Sequence, residues 1–257
     1  MSLVHYTVKD KVAFITLNRP EKRNALNHEL VAALKDEFDK AAADDQAKVI
    51  VLKAEGEAFC AGADLGYLQQ LQKFSFEENL QDSRHLKELF LKIYTHPKIV
   101  IAQVQGSALA GGCGLATVCD FVVSVPAAKF GYTEVKIGFI PAIVTIFLLR
   151  KLGEAKAKEM LISGELFSAD QVLKMGLINY VVEIDQLEQH VLQLAKKLVE
   201  TNSGESMKLT KQMIATIPSM SIENALNYAA EMNAKARGSE DCKRGIAAFL
   251  NKEKLTW

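Results

Sequence analysis

The sequence predicts an α/β fold in which parallel strands, buried on both faces, alternate with amphipathic helices before the chain becomes almost wholly helical. Three observations predict it. Short unbroken apolar runs recur at Val49-Ile50-Val51-Leu52, at 99–104 and at 121–125, which is how strands covered by helices on both sides are written. Between these runs lie stretches with apolar residues at helical spacing. From Glu154 onward such helical stretches dominate.

Taken in order, Val12, Phe14, Ile15 and Leu17 mark a strand that stops at Pro20, because proline offers no ladder donor. Asn27 is placed to cap a helix whose apolar stripe is Leu30, Val31, Leu34, Phe38 and Ala41. A buried strand over 48–54 follows. Phe76–Tyr94 reads as an amphipathic helix that ends before Pro97. Strand Ile99–Val104, a glycine-rich turn, a helix over 112–119 and a strand over 121–125 repeat the order, with another strand over 129–132. Ser168 caps a helix over 169–174, and a short strand is expected over 177–182. Four helices close the chain over 186–200, 205–217, 222–237 and 240–250, the last two behind Ser221 and Ser239 as caps.

The 257 residues suffice to bury a large core. Lys plus Arg and Asp plus Glu number 31 each, so the overall balance argues against nucleic acid or an anionic membrane as partner, and an anionic ligand must be held by a local patch. No apolar run is long enough for a bilayer span. Cys60, Cys113, Cys119 and Cys242 lack CxxC spacing and do not group with histidines. They read as buried thiols of a reducing compartment, not as a metal site. The five histidines also lack ligand spacing, with His28 and His85 expected at the surface. Met1 leads directly into a polar, strand-like stretch without a secretory or transit pattern, so the cytoplasm is the expected compartment.

Two segments carry chemistry. Gln105 to Ala116 contains Gly106, Gly111, Gly112 and Gly114 and lies between a buried strand and a helix. A helix start has orphan N–H donors and the positive end of the macrodipole, so it stabilises an oxygen that gains negative charge. Ala58-Phe59-Cys60-Ala61-Gly62-Ala63-Asp64-Leu65 also follows a buried strand and opens into a helix. Two strand ends thus offer donors to a common point, which is what an oxyanion hole for a thioester enolate requires.

These segments, with Ile15-Thr16-Leu17-Asn18-Arg19-Pro20, Asn24-Ala25-Leu26-Asn27 and the run from Phe130-Gly131-Tyr132-Thr133-Glu134 to Gly138-Phe139-Ile140-Pro141, resemble the enoyl-CoA hydratase/isomerase (crotonase) superfamily. The likeness extends from about residue 3 to the C-terminus. It implies a crotonase-like spiral of repeated ββα units over 1–200 and a C-terminal helical oligomerisation region over 201–257. It further implies a homo-oligomer, trimers paired into hexamers, that acts on an acyl-CoA thioester and needs no cofactor or metal beyond the coenzyme A of its substrate.

Carried across position by position, the resemblance places the two oxyanion donors on the backbone N–H groups of Ala63 and Gly111 and the proton-transfer carboxylate on Glu134. The alternative for Gly111 and Gly112 is that they only let helix and sheet approach. The family's second glutamate is missing, with Gly114 at its position. Asp64 is explained by capping, within a segment assigned to coenzyme A. Lys22, Arg23 and Lys252 are candidates for the CoA phosphates, against an equal reading as solvated charges. Backbone at Ala25, Ala61 and Leu65 is implied along the pantetheine and adenine, and Phe249 over the adenine of a neighbouring subunit. Leu68, Leu71 and Leu86 are candidates for the acyl pocket, against the reading of such a helix stripe as simple core.

Glycine at position 114 and the run from Gly131 to Ala142 further resemble bacterial methylglutaconyl-CoA hydratases of leucine degradation. The expected reaction is hydration of a 2-enoyl-CoA to a 3-hydroxyacyl-CoA. Its alternatives are a one-glutamate enoyl-CoA delta-isomerase and a non-catalytic acyl-CoA binding protein.

Overall fold

The computed structural model describes residues 2–257. Strands β1 (Val4–Lys9) and β2 (Val12–Leu17) form an antiparallel hairpin. Helix α1 (His28–Ala43) starts where Asn27 accepts the Leu30 N–H at 3.0 Å, as its sequence implies. Strand β3 (Val49–Ala54) then pairs parallel with β2. Helices α2 (Leu65–Leu71) and α3 (Phe76–Tyr94) lead to β4 (Ile99–Val104), parallel with β3. Next come β5 (Ala108–Leu109), α4 (Gly111–Thr117), β6 (Phe121–Ser124) and β7 (Lys129–Gly131). The remainder runs α5 (Ala142–Ser163), β8 (Phe167–Ser168), α6 (Ala169–Met175), β9 (Tyr180–Val181), α7 (Ile184–Thr201), α8 (Gly204–Thr216), α9 (Ile222–Gly238) and α10 (Glu240–Asn251).

The main sheet has the order β1-β2-β3-β4-β6-β9, parallel except for the β1 edge. Val49, Ile50, Val51, Leu52, Val100, Ile101 and Ala102 are all without exposure, as expected for strands covered on both faces. A second sheet, β5-β7-β8, stands beyond the ends of β3 and β4. It places the candidate site, because β5 lies within the glycine-rich turn and β7 precedes Glu134.

Several boundaries differ from the sequence reading. The glycine turn gives way to α4 one residue early, at Gly111, and the helix ends at Thr117. The strand expected over 177–182 is reduced to Tyr180–Val181, flanked by the Asn179 and Val182 N–H groups, which donate to the Val122 and Ser124 carbonyls of β6 at 3.0 and 2.9 Å. Helix α5 was not legible: Ile143 to Leu149 is almost continuously apolar and shows no period, and Gly153, at φ 72°, breaks the run in mid-helix. Cys60, Cys113 and Cys119 are buried, but Cys242 on α10 is only half-buried. His85 is half-buried as well, its ring stacked on His28 with centroids 4.3 Å apart. No helix among the described residues is long and apolar enough to cross a membrane.

Candidate active site

Three backbone segments meet beyond the ends of β3 and β4. Residues 60–64 run beside residues 23–26: Ala61 N–H donates to Arg23 C=O at 3.0 Å, Leu26 N–H to Gly62 C=O at 2.6 Å, and Asp64 N–H to Leu26 C=O at 2.8 Å. Their other side is bound to the turn before α4, with Cys60 N–H donating to Ser107 C=O at 3.2 Å and Leu109 N–H to Cys60 C=O at 3.0 Å. At Gly112 a Cβ would lie 2.2 Å from the Cys60 carbonyl oxygen. Glycine is therefore required there for close approach, as the alternative reading held, and that approach also brings the Ala63 and Gly111 segments together.

Among the described residues, neither the Ala63 nor the Gly111 N–H has a hydrogen-bond acceptor in the chain. Ala63 is exposed and Gly111 half-buried, so both can meet a ligand. The residue between β5 and α4, Ala110, holds φ 49° and ψ −124°, a conformation an L-residue adopts only under constraint. That constraint is the Ala110 N–H bond to Gly131 C=O at 2.7 Å. It turns the chain sharply into α4 and leaves Gly111 as the first amide of the helix, at the positive end of its dipole.

The same bond, with the pairing of Ala108 to Phe130 and of Leu109 to Gly131, holds the Glu134 segment beside the turn. Glu134 opens a 3₁₀ turn, Glu134–Ile137. Its Oε2 is buried and finds no hydrogen-bond donor among the described residues. Burial pushes the Glu134 carboxyl above the ordinary carboxylate range, opposed only by its own backbone amide. An unpartnered buried carboxylate oxygen is costly to fold, and what sets the Glu134 oxygen apart from Glu37 Oε2 and Gln105 Oε1, which likewise lack a hydrogen-bond partner, is the strand pairing that holds its segment beside the turn before α4. Beneath it Tyr132 is fully buried, its hydroxyl 2.8 Å from Thr117 Oγ1, and Thr117 in turn donates to Cys113 C=O at 2.8 Å. This buried chain ties β7 to α4.

Position 114 carries no second carboxylate and no room for one. A Cβ on Gly114 would lie 2.3 Å from Val144 Cγ1 and 3.0 Å from Phe90 Cε2. The space beside the glycine is filled by apolar side chains of α5 and α3.

Asp64 caps α2 by accepting the Tyr67 N–H at 3.1 Å, and its other oxygen pairs with Arg19 at 2.7 Å. Burial alone would raise its carboxyl, but the Tyr67 amide and Arg19 outweigh it and hold the group below its ordinary range. Sequence reasoning gave Arg19 no role. Its guanidinium also donates to Ala25 C=O at 2.9 Å, and Ala25 N–H donates to Lys22 C=O at 3.1 Å. Both backbone groups of Ala25 are thus engaged inside the chain, whereas the Leu65 N–H is not. Asn24, buried, pins the loop by donating to Glu55 and Ala58 carbonyls at 2.8 and 2.9 Å. Lys22 and Arg23 are exposed beside it.

Leu68 and Leu71 are half-buried on α2, which buries no residue fully, and Leu86 packs on the core. Phe249 is 84% exposed, and Lys252 ends α10 in a left-handed turn. The anchors of the chain's end lie at the opposite ends of the strands: Ser203 donates to Asp241 at 2.6 Å and Lys11, before β2, to the Trp257 carbonyl at 3.3 Å. Among the described residues no hydrogen bond links α10 to the Ala63 or Glu134 segments.

The enoyl-CoA hydratase/isomerase family model matches residues 7–257. The chain belongs to that family. A Thermus thermophilus relative, provisionally named as an enoyl-CoA hydratase, is 40% identical over 244 residues, covering 95% of this chain and 96% of that one. A short-chain-enoyl-CoA hydratase from Clostridium acetobutylicum is 32% identical over 252 residues, 95% of this chain and 93% of its own. The crystal structure of an enoyl-CoA hydratase from Mycobacterium smegmatis superposes with a TM-score of 0.94 at 31% identity, covering 100% of this chain and 99% of that one. Crotonase membership and the crotonase fold, both expected from the motifs, are confirmed.

Proposed function

We propose that the protein hydrates a short 2-enoyl-CoA, with 3-methylglutaconyl-CoA as the candidate acyl group, to the 3-hydroxyacyl-CoA. The observation that carries the reading is the orphaned Glu134 oxygen held beside two amides that have no acceptor in the chain. Hydratase names among relatives up to 40% identical support it.

In the forward step Glu134, ionised, takes a proton from water as the water oxygen bonds to C3. The C2=C3 electron pair moves into the thioester, and the resulting enolate oxygen lies between the Ala63 and Gly111 N–H groups. Return of a proton to C2 collapses the enolate and completes the addition of water. The raised carboxyl of Glu134 suits a group that must both take and return a proton. One removed oxyanion donor costs on the order of 10²–10³ in rate.

The exposed Ile222, Leu226, Ile246, Phe249 and Leu250 on α9 and α10 support assembly with further copies of the chain. Trimers paired into hexamers would let Phe249 and Lys252 serve a neighbour's coenzyme A.

The test follows the enoyl-thioester absorbance with crotonyl-CoA and with 3-methylglutaconyl-CoA, using wild type, Glu134→Gln and Gly111→Pro. Loss of absorbance with wild type alone is expected. Full activity of either variant would sink the reading. A second reading, a delta-isomerase, is favoured by the packed space beside Gly114, since moving one proton between C4 and C2 needs a single carboxylate. Deuterium exchange at C4 of a 3-enoyl-CoA without water addition would establish it.

A further inference from the structure

The apolar filling beside Gly114 continues deeper into the protein. Phe90, which touches the space where a Gly114 Cβ would project, meets Phe147 edge to face with ring centroids 6.3 Å apart. Phe147 in turn packs against Tyr94 at 5.1 Å. Behind Phe147 and Tyr94 opens a cavity of about 650 Å³ bounded by the end of α4, by α5 and by α8, within the usual span of small-ligand cavities, about 300–1,000 Å³. Its walls include Ile99, Phe121, Leu198, Met207 and Ile214.

The charges around this cavity are already engaged. Lys211 is paired with Asp120 at 2.6 Å. Lys151 donates to the Thr117 and Cys119 carbonyls at 3.0 and 3.2 Å, and Arg150 to the Ala215 carbonyl and Ser219 at 3.0 and 2.8 Å. The surface left for a ligand is therefore largely apolar. Resting on the proposed hydration, in which the reacting acyl carbons lie beside Glu134 and the position where the family's second glutamate would stand, Gly114, we propose that Phe90 and Phe147 form a stop that limits acyl length, and that the cavity behind them takes an aliphatic acyl tail when the stop is shortened. Another cavity, of about 600 Å³, is lined by Glu29, Glu77, Glu78, Asp82 and Glu88 and has the wrong character for such a tail.

The test measures binding of the saturated thioesters butyryl-CoA and decanoyl-CoA by calorimetry, so it does not depend on turnover. Wild type is expected to bind butyryl-CoA more tightly than decanoyl-CoA. Phe147→Ala is expected to tighten decanoyl-CoA relative to butyryl-CoA roughly tenfold or more, because several methylene groups then leave water. Phe147→Leu, a milder loss of volume, gives a smaller shift of the same sign and is read if the alanine variant does not fold. Refilling the cavity with Ala215→Phe in the shortened variant should abolish the gain. Equal binding of both thioesters by wild type, or an unchanged preference in the folded Phe147→Leu and Phe147→Ala variants, overturns the stop. Crotonyl-CoA left unhydrated by a protein that shows the expected shift would instead defeat the hydratase reading alone.

Discussion

Gly114 and Val144 share one space: a Cβ on the first would come within 2.3 Å of Cγ1 of the second. The position at which related enzymes are expected to carry a carboxylate is therefore closed by packing between α4 and α5. Gly114→Ala is predicted to lower unfolding stability by about 1–3 kcal/mol, the usual cost of overpacking. Gly114→Glu should be worse, because it adds a buried charge. Pairing Gly114→Ala with Val144→Ala should recover most of the loss. Urea unfolding of the three variants checks this, and an undiminished midpoint in Gly114→Ala alone would show that α5 yields freely.

What the sequence made legible here is what is local. Asn27, Ser168, Ser221 and Ser239 cap helices because each side chain bonds an amide within its own turn. Asp64 was readable as a cap for the same reason. Its pairing with Arg19 was not, since that depends on residues 60–64 being laid beside residues 23–26. Likewise Glu134 was found by its motif, but the wall of Phe90 and Val144 arises only when α3 and α5 close on α4. Helix α5 itself has too continuous an apolar run for periodicity to reveal.

Glu134 should carry opposite consequences for activity and stability. Burial raises its carboxyl above its ordinary value of 4.5, so the folded protein holds this proton more tightly than the unfolded chain. Stability is lost as pH rises from 4.5 through the folded value, and the penalty is complete above it. Glu134→Gln is predicted to lose roughly 10²–10⁴ of the rate while melting at the same or a higher temperature at pH 7. The wild-type rate should fall on the acid side at a midpoint above 4.5. A destabilised Glu134→Gln would mean that the carboxylate is supported by the fold.

His96 has the reverse sign. It is buried, its Nδ1 accepting the Lys98 N–H at 3.0 Å and its Nε2 lying 3.1 Å from the Phe38 carbonyl, which fits the neutral ring. Burial depresses its pKa from 6.5 to about 4, and the cations Lys211 and Lys98 add to that. Between those values the unfolded chain binds a proton that the folded chain refuses, so stability falls as pH is lowered from 6.5 to about 4. The loss is on the order of 3 kcal/mol. His96→Gln can keep both hydrogen bonds without titrating. Chemical unfolding at intervals across the window should show a flatter pH slope for the variant, and identical slopes would remove His96 as the cause.

Lys211 anchors α8 to the core through a single buried ammonium. With 6% of its surface exposed, it donates to Asp120 at 2.6 Å and to the Ile93 and Lys98 carbonyls at 3.1 and 3.2 Å. Asp120 also accepts the Val100 N–H at 2.7 Å, so the pair joins α8 to the start of β4. Burial raises the Asp120 carboxyl despite its partner, which means that an aspartate left alone there would be strongly disfavoured. Lys211→Met is accordingly predicted to cost about 3–5 kcal/mol, the range for breaking a buried pair from one side. Adding Asp120→Asn should return a substantial part, because the stranded charge is then gone. Strictly additive losses in this double-mutant cycle would show instead that the two residues act independently and that α8 is held by its apolar contacts.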